Sequence, residues 1–131
     1  MTRTLTIIDI RVIGDSNLDS TQVKHIEVAR MIASWYNGVS SVKAAEVRVK
    51  EPGVIIDGLY STASKSIYLA PHVLRRIDKT VDTDIHEIAH HNTQAPDGTK
   101  LHEDEIDRVS EDVIGRIKSG ALKGKLKSVA W

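Results

Sequence analysis

The order of apolar periodicities along the chain predicts an α+β fold, a small twisted and mostly antiparallel sheet packed against helices. Three observations point there. An alternating β-branched segment opens the chain and one helical repeat follows it. A cluster of short alternating segments fills the middle. The last third reads as helices separated by a turn.

Leu5 to Val12 alternates and is rich in Ile, Val and Thr, which reads as a strand, and Gly14-Asp15-Ser16-Asn17 breaks it. Ser20 or Asp19 is placed to cap a helix from about Thr21 to Tyr36. Val23, Ile26, Ala29, Ile32 and Ala33 form its apolar stripe, and Asn37-Gly38 ends it. Ala44 to Lys50 alternates again and Pro52-Gly53 marks a turn. Val54 to Leu59 and Ser66 to Leu69 read as two further strands joined through residues 60–65. Pro71 suits the first turn of a short helix through about Ile77. Asp78 or Thr80 can cap the next helix, to about Asn92. After the turn Pro96-Asp97-Gly98, Thr99 opens a final helix to about Lys118, ended by Gly120.

The chain has 131 residues, a length suited to one domain, here residues 1–118, with a basic tail over 119–131 that reads as solvated. Eighteen basic and eighteen acidic side chains give zero net charge, which argues against nucleic acid or a membrane surface as partner. There is no cysteine, so disulfides, thiolate nucleophiles and cysteine zinc fingers are excluded. No stretch approaches the length of a membrane span, and the first residues lack the apolar run of a signal peptide. The expected compartment is the cytoplasm.

Chemistry concentrates in His86-Glu87-Ile88-Ala89-His90. Positions i and i+4 of a helix lie about 40° apart around its axis, so both imidazoles project from one face and can hold one ion. Val81, Ile85 and Ile88 fall on nearly the opposite side, which separates the histidines from the apolar stripe. Glu87, about 100° from His86, can reach a water near that ion without ligating it. A zinc ion with imidazole ligands and an open position is the chemistry this pattern serves.

A third ligand is expected from the start of the last helix, Leu101-His102-Glu103-Asp104-Glu105-Ile106-Asp107. On its wheel His102 lies about 30° and Glu103 about 70° from the centre of the buried face, which favours His102 slightly. Glu103 has a different support. Asp107 follows it by four residues and is placed to accept a hydrogen bond from a ligand imidazole. Both candidates stand on the residues alone.

His86-Glu87-Ile88-Ala89-His90 together with Glu103-Asp104-Glu105-Ile106-Asp107 resembles the gluzincin metallopeptidases, and the small size resembles the single-domain minigluzincins. The likeness spans roughly residues 54–112. It implies a zinc peptidase in which His86, His90 and Glu103 hold the metal, Asp107 supports a ligand histidine and Glu87 is the general base. It also implies a peptide or protein substrate, bound along the strand pair that precedes the zinc helix. The competing expectation is a non-catalytic module that keeps the metal fold and works by binding. His91 points away from His90 and reads as a polar surface or supporting residue; if Glu103 ligates, His102 or His91 can donate to the developing oxyanion, with Tyr60 and Tyr68 as alternatives. His25 reads as surface and His72 carries no assigned role. The tail ending in Trp131 is a candidate cover for such a site.

Overall fold

A four-stranded mixed sheet carries two helices, with a third packed on the second, in a computed structural model that describes residues 5–120. The elements are β1 (Ile7–Ile13), α1 (Ser20–Ala33), β2 (Ser41–Val49), β3 (Gly58–Ser61), β4 (Ser66–Leu69), α2 (Ile77–Thr93) and α3 (Lys100–Lys118). This is the α+β layout expected from the periodicities. The strand order is β1-β2-β4-β3. Two pairings are antiparallel, and the central one between β2 and β4 is parallel. The segments expected at residues 119–131 fall largely outside the described residues, as does any placement of Trp131.

Val42 and Ala44 of β2 stand beside Ile67 and Leu69 of β4 in register, so all four side chains share one face. That face is sealed by Ile26, Ala29 and Ile32 of α1 and by Ile85 and Ile88 of α2, all buried. Asp19 caps α1: its carboxylate accepts from the Gln22 backbone N–H at 2.8 Å while the Gln22 side chain accepts from the Asp19 N–H at 3.0 Å.

Three local expectations are corrected. α2 begins earlier than a cap at Asp78 or Thr80 would place it, because Thr80 is buried in the first turn and donates to the carbonyls of Val73 and Arg76. The helix expected after Pro71 is only a 3-10 turn over Val73–Arg75. His25 is buried rather than on the surface: it faces the segment between β4 and α2, where its Nδ1–H donates to the Leu74 carbonyl at 2.6 Å.

β4 is short and pairs with β2 only from Ser41 to Ala44. Among the described residues the second half of β2 therefore has no strand on that side. The space left over becomes one wall of a cleft of about 440 Å³, lined by Val47, Val49 and Ile56 on the sheet side, by β3, and by His86, Glu87, His90 and Asp97 opposite. Among the described residues no helix is long and apolar enough to cross a membrane.

Candidate metal centre

α2 presents His86 and His90 one turn apart, as the helical period requires. After α2 the chain turns sharply: Gln94 takes a left-handed conformation at φ 59° and closes the helix end. Three residues later Asp97 lies beside both rings, its Oδ1 2.9 Å from His86 Nε2 and 2.6 Å from His90 Nε2. Thr99 then caps α3 and accepts from the His102 backbone N–H at 3.3 Å, which fixes His102 in the first turn, against α2. The His102 ring stacks on that of His90 with centroids 3.8 Å apart.

His86, His90, Asp97 and His102 thus form a group whose ligand atoms all lie within 4.8 Å of one another, and this group can hold a metal ion. Its hydrogen bonds orient the lone pairs. His90 Nδ1–H donates to the Ala95 carbonyl at 2.8 Å, which orients the ring so that Nε2 faces Asp97. His102 Nε2–H donates to the His86 carbonyl at 3.1 Å, which turns Nδ1 inward, 3.9 Å from Asp97 Oδ1. Burial depresses the His102 imidazole, whose side chain is only 1% exposed, and so favours the neutral form that ligates. Burial alone would raise the Asp97 carboxyl. The charges and hydrogen bonds of His90 and His86 outweigh that and hold it below the ordinary range. His86, 41% exposed, leaves the group open to the cleft.

Glu87 lines the same cleft as the donors, on the side where α2 meets β3. It is 5% exposed, and burial with the nearby Asp97 charge pushes its carboxyl up to about 8. Gly58 makes this approach possible. A Cβ there would lie 2.6 Å from Thr83 Cγ2, 3.0 Å from Glu87 Oε2 and 3.2 Å from the Tyr68 carbonyl. Gly58→Ala is expected to destabilise by about 1–3 kcal/mol, as overpacking does, read as a lower urea midpoint. An unchanged midpoint would show that β3 and α2 can separate freely.

Asp84, one turn before Ile88, is fully buried, and neither of its oxygens has a protein partner among the described residues. Burial, and then the neighbouring Glu87, raise its carboxyl well above the usual value. An unfolded carboxyl titrates near pH 4. Between there and the raised folded values the native state binds more protons than the unfolded chain, so stability falls as pH rises. In the metal-free protein the urea midpoint is expected to drop from about pH 4.5 to about pH 8, and Asp84→Asn is expected to flatten that drop. A midpoint that climbs over this window would contradict the burial of both acids.

His86, His90 and Glu87 line one cleft, and His102, weighed as third ligand, belongs to the donor group. Glu103 does not. It is exposed and lies outside the group, because one residue along α3 is about 100° of rotation and His102 already faces inward. Asp107 is exposed too, and the partners of the three ring histidines are Asp97 and the carbonyls of Ala95 and His86. Asp97 was missed, since Pro96-Asp97-Gly98 reads as a turn and nothing more. An acid seven residues after His90 and five before His102 was the available signal. His91 is a bracing residue: Nδ1 accepts from Tyr60 Oη at 2.7 Å and Nε2–H donates to the Asn37 carbonyl at 2.8 Å. Gly38, at φ 94°, passes so close that a Cβ would meet His91 Nε2 at 3.2 Å. His72 contacts Asp57 on the surface. Comparison with known protein families, curated proteins and solved structures finds no match.

Proposed function

We propose that this chain is a zinc-dependent hydrolase of peptide bonds, in which His86, His90 and His102 hold the ion and Glu87 is the general base. The observation that supports this is the convergence of three oriented imidazoles beside a buried carboxyl in one cleft. Neutral imidazoles with a single carboxylate nearby are a donor set suited to zinc. The chemistry zinc supplies in such a set is Lewis acidity toward a carbonyl and acidification of a water.

The chain's own groups do the rest. Glu87 takes a proton from a water in the cleft and returns it to the leaving amine. Its raised proton affinity suits that second step, and a divalent cation close by favours the carboxylate needed for the first. β3 is an edge strand with β4 as its one neighbour among the described residues, and it lines the cleft. An extended peptide can add to its outer edge through backbone hydrogen bonds. Val47, Val49 and Ile56 give the far wall an apolar lining for side chains.

One observation favours a second reading. Asp97 is placed to be a fourth donor, and a four-coordinate zinc with no open position is characteristic of structural sites. The chain would then be a metal-stabilised binding module. Metal content and cleavage of a peptide library, measured on wild type, His86→Ala and Asp97→Ala, separate the two. The hydrolase reading expects about one zinc per chain and cleavage in wild type, loss of both in His86→Ala, and cleavage retained in Asp97→Ala. Zinc without cleavage in wild type would favour the module, and a chain that takes up no zinc would end both readings.

A further inference from the structure

We propose that β1 pairs antiparallel with β1 of a second copy of this chain, about a two-fold axis through Ile10, to join two sheets into one. β1 is an edge strand of seven residues whose only neighbour among the described residues is β2. Ile8 and Val12 are more than half exposed and Ile7 nearly so. An edge this long and apolar is a ready template for another strand, and edge strands left in that state normally carry some device against pairing.

The charges on β1 work the other way, because they are self-complementary. With the axis at Ile10, Asp9 faces the partner's Arg11 and Arg11 faces the partner's Asp9. Within one chain Arg11 stands opposite Glu46, 2.8 Å away, and Asp9 stands opposite Arg48. Joining the copies therefore builds two rows of alternating sign across four strands: Glu46, Arg11, the partner's Asp9, the partner's Arg48, and the same row reversed. On the other face Val47 and Ile10 meet the partner's Ile10 and the partner's Val47, an apolar row. The register shift between Ile7 and Asp9 leaves residues 9–13 as the regular stretch. An axis one residue further on, at Arg11, would set Arg11 against the partner's Arg11, so charge selects Ile10. A two-fold contact of this kind uses the same patch twice and closes on itself.

The full chain at increasing concentration, followed by light scattering, is expected to reach twice its 14.5 kDa mass. Asp9→Lys and Arg11→Glu each place like charges opposite one another twice in a self-pair, and each is expected to weaken association at least ~10-fold. Mixed in equal amounts the two variants are complementary at both positions, and the dimer is expected to return. The chain has no cysteine, so Ile10→Cys puts a single thiol on the axis. Directly opposed residues are about 4.5–5.5 Å apart at Cα, within disulfide reach, so oxidation is expected to give a covalent dimer. Val12→Cys, which faces the partner's Ile8 and not the partner's own Cys, is expected to form no covalent dimer on oxidation. A monomer up to about millimolar concentration would overturn the proposal. So would dimers that survive in either charge variant alone, or a mixture that fails to reassociate. None of the four substituted positions lines the cleft or belongs to the donor group, so zinc content reports on the centre independently.

Discussion

Glu87→Gln is expected to keep its zinc and to lose peptide hydrolysis by about 10²- to 10⁴-fold, the range for removing a positioned general base. The substitution is nearly isosteric, which matters because the Glu87 side chain fills the narrow space beside Gly58 and Thr83. Glutamine occupies the same volume and cannot accept the proton. Elemental analysis of the purified variant, run beside its cleavage rate, is the check. The two other acids in the neighbourhood are poor substitutes as base: Asp84 is sealed in the interior, and Asp97 is engaged by His86 and His90. A variant that cleaves at the wild-type rate would remove Glu87 from the chemistry. Loss of zinc together with activity would instead give the carboxyl a part in holding the metal.

The second large effect concerns the third ligand. His102→Ala is expected to weaken zinc binding by more than the roughly 10- to 100-fold that follows loss of a merely supporting group. Glu103→Ala, one residue away and exposed, is expected to leave the affinity within about 2-fold, as surface changes do. A competition titration with a chromophoric chelator measures both, with circular dichroism confirming that the His102 variant folds. The reverse pattern, Glu103 critical and His102 dispensable, would restore the glutamate-ligand arrangement that the resemblance to gluzincins implies. It would also require the start of α3 to rotate by about 100° relative to α2.

Much of the fold follows from local periodicity. The strand at Ser66–Leu69 and the body of each helix follow from patterns within a few residues, because a strand has period two and a helix 3.6, and neither needs a distant partner. The two histidines and the glutamate are of this kind. Their relative angles are properties of a single helix, so His86-Glu87-Ile88-Ala89-His90 already specified two imidazoles on one side and an acid beside them. The parallel pairing of β2 with β4 is different, since it depends on how a crossing segment packs.

The completion of the centre was a tertiary decision. His102 and Glu103 differ by one residue, and the wheel alone separated them only slightly. The cap at Thr99 and the His102 hydrogen bond to the His86 carbonyl chose the histidine. Asp97 joined because Gln94 adopts a left-handed turn and sends the loop back across the face of α2. Contacts between separate elements depend on crossing geometry and loop closure, which no period in the sequence encodes. The sequence by itself therefore determined a pair of histidines and a neighbouring acid on a helix of an α+β protein. Only the packing of α3 and the turn before it decided which groups join them in the candidate donor group.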